Sequence, residues 1–274
     1  MGEGPAAPGG GVNLLAVAVA GRGLVDPHTP VFGADDEALL RGRAVFETAR
    51  VYHGVPFKLD AHVDRLARSA ARVRLPDPDR EECVLLADGV IKAAGVSDLA
   101  LRFFWTGVTL VATAAAIDPA LEELRASGLR LAVVRWSTGV LAAAKSTSYA
   151  ENMAAQDAAG ERGADDALLV AHDGTVLEAP TANVWFREGA RLLTPTLSLP
   201  ILAGVTRAVV LELAPAAGYD VEEGSFPLER LIAADEVFLT SSIREVMPVA
   251  LVDGTAFDLG PAAQTLQRAL RSMT

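Results

Sequence analysis

Leu141-Ala142-Ala143-Ala144-Lys145-Ser146-Thr147-Ser148-Tyr149-Ala150-Glu151-Asn152 is the stretch on which the reading of this chain turns. Lysine is scarce: the 274 residues hold only Lys58, Lys92 and Lys145, against many arginines. Lys58 falls on an expected hairpin strand and Lys92 on the solvent side of an expected helix, both ordinary solvated positions for this residue. Lys145 instead follows four apolar residues and precedes hydroxyl side chains, with no acidic neighbour before Glu151. Such surroundings desolvate an amine and lower its pKa, which a lysine needs to attack a carbonyl as a neutral nucleophile. Taken singly, a lysine at a helix start is more often exposed, so the neighbouring segments have to decide.

Working outward, half the residues are apolar and the length suffices for about two packed domains. The net charge of −11, with basic residues scattered, argues against nucleic acid and against an anionic membrane surface. No apolar run approaches the roughly 20 residues of a membrane span. Cys83, the single cysteine, sits in an apolar run and reads as a buried hydrophobe. Residues 1–11 are rich in Gly, Pro and Ala and lack the pattern of a signal peptide, so they read as a flexible tail and the protein as cytoplasmic.

Along the chain, 12–19 reads as a buried strand, and 44–52 with 55–59 as a hairpin about His53-Gly54. Asp60 is placed as the N-cap of a helix over 62–75, followed by a helix over 80–94 and strands at 99–104 and 109–117. An acidic helix at 119–127 leads to a strand at 129–134. Then come a helix at 149–162, a hairpin over 167–176 turning at Asp173-Gly174, a strand at 183–187, a helix from Gly204 to 217, a strand at 236–240 and a last helix from Pro261. Strands and helices in separate runs make the first half α+β.

Lys145 through Asn152, then Gly163-Ala164-Asp165-Asp166-Ala167-Leu168-Leu169, then Asp173-Gly174-Thr175-Val176-Leu177-Glu178-Ala179-Pro180-Thr181-Ala182-Asn183-Val184-Trp185 resemble the fold-type IV, or class IV, aminotransferases that depend on pyridoxal 5′-phosphate (PLP). The resemblance continues in Leu59-Asp60-Ala61-His62-Val63-Asp64-Arg65-Leu66, in Leu202-Ala203-Gly204-Val205-Thr206-Arg207 and in Phe238 to Val249. It implies an α+β, two-domain fold like that of D-amino-acid aminotransferases: a small N-terminal α/β domain at 12–118, a connection at 119–128 and a larger PLP-binding domain at 129–274. It implies that Lys145 holds the cofactor covalently and moves the proton during transfer, and that Glu178 pairs with the pyridine nitrogen. Arg65, Thr206 and Ser242 would hold the phosphate, and Tyr149 the phenolic oxygen, with Asn183, Leu192, Val205 and Ile243 as further contacts. A helix opening at Gly204 suits an anion on general grounds, because its first N–H groups are unpaired and face the positive dipole end. Singly, Arg65 as a surface charge, Thr206 as a cap and Glu178 as a turn carboxylate are each the commoner condition.

Substrate contacts fall on Phe46, Thr48 and Arg50, in a strand resembling the family's pocket strand, and on Arg41, Arg43 and Trp105. Arg41-Gly42-Arg43-Ala44 departs from the family pattern; strand alternation puts both arginines on one face, toward either a substrate carboxylate or solvent. Thr106-Gly107 replaces a segment in which relatives carry a carboxylate-binding arginine. The implied reaction transfers an amino group between a small amino acid or amine and a 2-oxo acid, leaning toward D-amino acids, in a homodimer without metal. The alternative is an aminodeoxychorismate lyase releasing pyruvate and 4-aminobenzoate, with Thr48 as proton donor. A non-catalytic PLP carrier is the reading from a different class.

Overall fold

Residue alternation along Val45–Tyr52 separates two faces: Val45, Glu47, Ala49 and Val51 are buried, while Phe46, Thr48 and Arg50 are only partly covered. That strand belongs to the first of two sheets in the computed structural model, which describes residues 13–137 and 139–274. The expected tail, 1–11, lies outside the described residues.

The first sheet is built from β1 (Leu14–Val19), β2 (Gly23–Val25), β3 (Val45–Tyr52), β4 (Val55–Pro56), β5 (Leu99–Trp105) and β6 (Leu110–Ala115), in the order β2-β1-β6-β5-β3-β4 and antiparallel throughout. α1 (Glu37–Arg41) leads into β3, and α2 (Leu59–Arg72) and α3 (Arg80–Ala94) cover one face. Their apolar sides close a core around Leu66, Leu86, Leu101 and Phe103, which also holds Cys83. α4 (Ala120–Ser127) then leads to the second sheet.

Its strands and helices are β7 (Leu129–Trp136), α5 (Ala150–Glu161), β8 (Asp166–Ala171), β9 (Asn183–Glu188), β10 (Arg191–Pro195), α6 (Val205–Leu213), β11 (Asp220–Gly224), α7 (Leu228–Ile232), β12 (Glu236–Ser241), β13 (Glu245–Val252), β14 (Thr255–Ala256) and α8 (Pro261–Arg271). The order is β11-β10-β9-β12-β13-β7-β8, with β14 on β13, and the pairings are mixed. One core lies about Phe186, Phe226 and Leu239, and another under α6 and α8 about Trp185, Val210 and Leu266. No helix among the described residues is long and apolar enough to cross a membrane.

Several local expectations change. α2 starts at Leu59, not after Asp60: Lys58 takes a left-handed turn at φ 52 out of the hairpin and offers no side-chain cap, leaving Asp60 in the first turn. There it still complements the helix dipole. α6 stops at Leu213 and not at 217: Ala214 is still helical in its backbone, but Pro215 has no N–H to continue the ladder. Arg41 and Arg43 do not alternate on a strand: Asp36 caps α1, Arg41 ends it, and Gly42 closes it in the left-handed region. The hairpin about Asp173-Gly174 forms, but its second arm makes only a bridge, Val170 to Val176. β10, β11 and β13 were not expected as strands. β11, Asp-Val-Glu-Glu-Gly, carries no apolar alternation and is held as a parallel edge beside β10.

Candidate active site

Lys145 is fastened through its backbone to both halves of the small sheet's structure. Its carbonyl accepts from Phe46 N at 2.9 Å, its N–H donates to Ser69 Oγ on α2 at 3.1 Å, and Ser146 bridges Val45. Its segment therefore continues the first sheet beside β3, and the side chain crosses toward the second. The amine is buried, 4.4 Å from the centre of the Phe46 ring and 5.9 Å from that of Tyr149. Desolvation pulls its pKa down to about 8; Glu47 and Glu178 oppose that fall, and Arg65 and Arg102 reinforce it. This is the nucleophilic amine that the sequence context called for.

Glu178 brings a carboxylate into the same electrostatic neighbourhood. Leu202 N donates to both of its oxygens at 3.2 Å, and Asn183 Nδ2 donates to Oε2 at 3.0 Å and to Leu202 O at 2.9 Å. Burial pushes its pKa up to about 8, with the Leu202 N–H and the charge of Lys145 working against that rise. Glu178 is held by a backbone amide and an asparagine, with no arginine or lysine in contact among the described residues. Asn183 in turn packs against Gly204, where a Cβ would stand 2.0 Å from Asn183 Oδ1. Only glycine lets the start of α6 come this close.

Arg65 reaches that helix start, with Nη1 donating to Ala203 O at 3.0 Å. Its Nε and Nη2 are held by the buried Glu47 at 2.7 and 2.8 Å, and His62 Nδ1 lies 2.8 Å from the same carboxylate. Burial alone would raise Glu47; Arg65 first and His62 second bring it down to about 2. The guanidinium is thus a fixed cation with protons left on Nη1 and Nη2, beside the free N–H groups of Val205 and Thr206 at the start of α6. Ser242 and Ile243 sit in the turn between β12 and β13. That turn is braced from beneath: Arg50 Nη1 donates to Ile243 O at 3.0 Å, and Arg125 to Arg244 O and Val246 O at 2.8 and 2.7 Å.

Tyr149 packs edge-on against Phe46, ring centres 5.4 Å apart, and its hydroxyl donates to Pro180 O. Burial, then the charges of Glu178 and Asp166, hold that phenol well above its ordinary pKa, so it stays a neutral donor. On β3, Phe46 and Thr48 share the face toward Lys145, and Arg102 on β5 pairs with Thr48, donating from Nε to Oγ1 at 3.2 Å. Arg102 was not among the expected residues. Burial lowers its pKa, the charge of Tyr149 opposes that fall, and no carboxylate lies within ion-pair reach among the described residues. Strand alternation from Phe46 through the β3–β5 register would have located it.

Other expected residues lie elsewhere. Arg50 shares that face, but its Nη1 donates to Ile243 O and lies 3.5 Å from Glu245, while its Nε is buried without a hydrogen-bond partner among the described residues. Trp105 pairs with Val45, on the opposite face of the sheet, and its indole N–H donates to Pro76 O. Leu192 is fully buried in the core with Trp185 and Val210, whereas Leu202, part of the segment before α6 but given no role of its own, donates to Glu178. Arg41 and Arg43 share Glu37 outside this cluster.

A buried nucleophilic lysine, an isolated carboxylate and an anion cradle at a helix start define an enzyme that carries a phosphorylated aldehyde cofactor. Residues 44–252 match the model of the amino-transferase class IV family, and the chain belongs to that family. It is 34% identical over 84% of its length to a putative branched-chain-amino-acid aminotransferase of Methanocaldococcus jannaschii, covering 86% of that protein. It is 30% identical over 88% of its length to a bifunctional aminodeoxychorismate lyase / D-amino acid transaminase of Mycobacterium tuberculosis, covering 92%. The fold superposes on a hypothetical aminotransferase from Mycobacterium tuberculosis in its PLP-bound form with a TM-score of 0.87 at 28% identity, covering 94% of this chain and 97% of that one. The architecture is that of the fold-type IV aminotransferases, and the cofactor is PLP.

Proposed function

We propose that Lys145 forms the covalent link to PLP and serves as the proton carrier in amino-group transfer from a small amino acid or amine to a 2-oxo acid, with a preference for D-amino acids. The observation that carries this reading is the buried Lys145 amine, its pKa lowered to about 8, beside Phe46 and Tyr149 with the Glu178 carboxyl in its field. The cofactor supplies an electron sink for the pair released when the substrate Cα–H bond breaks. Glu178 keeps a proton on the ring nitrogen, oriented by Leu202 N–H and Asn183. Arg65, the N–H groups of Val205 and Thr206 and the Ser242-Ile243 turn hold the phosphate. Tyr149, whose hydroxyl donates to Pro180 O in the structure, would turn that proton toward the phenolic oxygen. Lys145, once displaced, sits where it can take the Cα proton and return it.

Arg102 is the carboxylate-binding group in this reading: Arg65 is paired with Glu47 and Arg50 Nη1 donates to Ile243 O, whereas the one hydrogen bond of the Arg102 guanidinium among the described residues is to Thr48. A second reading, release of pyruvate from aminodeoxychorismate, is favoured by Thr48, whose hydroxyl accepts from Arg102 and so keeps its own proton available. Homodimeric assembly, a cytoplasmic location and division into a domain at 12–118 and another at 129–274 complete the proposal on the strength of the family resemblance.

Borohydride reduction followed by peptide mapping is expected to place the pyridoxyl adduct on Lys145. Mixing the yellow protein with D-alanine is expected to convert its absorbance to that of the pyridoxamine form; with a pure lyase the spectrum stays unchanged. Adduct formation elsewhere would remove the basis for both readings.

A further inference from the structure

The start of α6 carries an arginine where helices usually carry an acid. Gly204 is the N-cap, followed by Val205, Thr206 and Arg207, so Arg207 takes the third position of the first turn. Glutamate or glutamine is favoured there, because it answers the cap's N–H and the positive end of the dipole. A cation at that end adds to the positive potential and by itself destabilises the helix. Arg207 is moreover buried, at 2% exposure, where an unpaired charge is strongly destabilising. A residue placed against both rules points to a use other than helix stability.

The surroundings hold the guanidinium without cancelling its charge. Nη2 donates to Pro195 O at 2.8 Å and to Glu223, near the ends of β10 and β11, and the guanidinium carbon lies 5.9 Å from the centre of the Trp185 ring. Nε is buried with no hydrogen-bond partner among the described residues. Glu223, the counter-ion, leaves 42% of its side chain in solvent, against 3% for the arginine. Water therefore screens the anion more than the cation, and a net positive field remains at the start of α6. That field extends to Glu178: against the burial that raises this carboxyl's pKa, Arg207 favours the ionised form. Tying α6 to the sheet edge is the ordinary role for such a side chain, and a neutral amide donor to Pro195 O would meet it. The charge is what that role leaves unexplained.

We propose that Arg207 is a positioning residue for the cofactor phosphate: from beneath the first turn of α6 it adds a fixed, water-excluded positive charge to the helix dipole, while its bonds to Pro195 O and Glu223 hold that turn at the ends of β10 and β11. This rests on the reading of the α6 start as the phosphate cradle. Arg65 and the backbone N–H groups take the hydrogen bonds in that reading; Arg207 favours the doubly ionised phosphate, and Glu223 moderates the field.

The test compares the binding of PLP to cofactor-stripped protein with that of pyridoxal, which offers Lys145 the same aldehyde but lacks the phosphate, by fluorescence quenching. Arg207→Gln is expected to weaken PLP about tenfold and pyridoxal less than about twofold, and Arg207→Lys to retain most of the PLP affinity. The phosphorus-31 resonance of the PLP-loaded protein, followed against pH, is expected to titrate at higher pH in Arg207→Gln than in the parent. Equal losses for both vitamers, a lysine variant as weak as the glutamine one, or an unmoved phosphorus titration overturns the inference. A parent protein that binds PLP no better than pyridoxal overturns the phosphate-cradle reading and the inference with it. A clear preference for PLP that Arg207→Gln leaves intact overturns the inference alone. If Arg207→Gln fails to fold, Glu223→Gln at the half-exposed counter-ion is read instead: PLP is expected to bind about threefold tighter with pyridoxal unchanged, and unchanged or weaker PLP binding overturns the inference.

Discussion

Lys145 shows how one side chain acquires reactivity from its surroundings. With its pKa brought down to about 8, the amine is protonated and inert below that pH and free to attack above it. The rate at which cofactor-stripped protein captures PLP is therefore expected to rise with pH and level off above about 8, as followed by stopped-flow absorbance. An ordinary exposed lysine, with a pKa near 10.4, would keep the rate climbing well beyond that point. Arg102 yields a second expectation. Arg102→Met removes a charge-assisted contact, which predicts a loss of about tenfold to a hundredfold in kcat/KM for amino acids and little change for amines without a carboxylate. Equal losses for both would count against its role as the carboxylate partner. Lys145 and Glu178 stood out in the sequence by motif and spacing, while Arg102 did not, because its neighbours Leu101 and Phe103 read simply as a buried strand.

At the scale of an element, α2 and the start of α6 carry most of the anion cradle. α2 buries a polar stripe, His62, Arg65 and Ser69, beside an apolar one of Val63, Leu66 and Ala70. Hydrophobic periodicity finds the second and is blind to the first, since nothing in the spacing says that Glu47 on β3 will meet it. Glu47→Gln leaves Arg65 without its paired charge and is expected to cost about 3 to 5 kcal/mol of stability in urea unfolding. The pH sign follows from the depressed pKa of Glu47: its contribution is present above the unfolded value of a glutamate and is lost as pH falls toward about 2. In α6, Gly204→Ala sets a methyl group against Asn183, which must swing away from Glu178. PLP affinity, read by fluorescence quenching, is expected to fall about tenfold while the fold persists. An undiminished affinity would show that Asn183 does not orient Glu178.

At the scale of the whole molecule, Glu245 joins the two sheets. It takes a left-handed backbone at φ 56 and buries a carboxylate that accepts from Tyr52 Oη at 2.7 Å, Gln267 Nε2 at 2.7 Å, Arg271 at 2.8 Å and Arg125 at 3.0 Å. Tyr52 and Arg50 come from β3 of the first sheet, Arg125 from α4 between the sheets, and Gln267 and Arg271 from α8 at the end of the chain. Burial opposes its ionisation, yet Arg271 and Tyr52 hold its pKa below the usual range. Glu245→Gln is expected both to lower the melting temperature and to loosen PLP, since the Ser242-Ile243 turn loses its support; a lower melting temperature with unchanged cofactor affinity would make the residue a brace of the fold alone.

Order along the chain was enough for the helix at 80–94, for the one expected at 119–127 and found at 120–127, for the strands at β3, β5 and β9, and for singling out Lys145, Glu178 and Gly204 as residues to examine. Those features rest on local propensity, on periodicity and on motifs read within a dozen residues. Tertiary structure alone decided that Arg50 braces a turn while Arg102 pairs with Thr48, that Leu202 donates to Glu178 while Leu192 lies in the core, and that Trp105 turns away. Each of these depends on which strands pair, in what register, and on which side of the sheet the partner element lies. Such choices join residues far apart along the chain, and they follow from burying each sheet against its own helices.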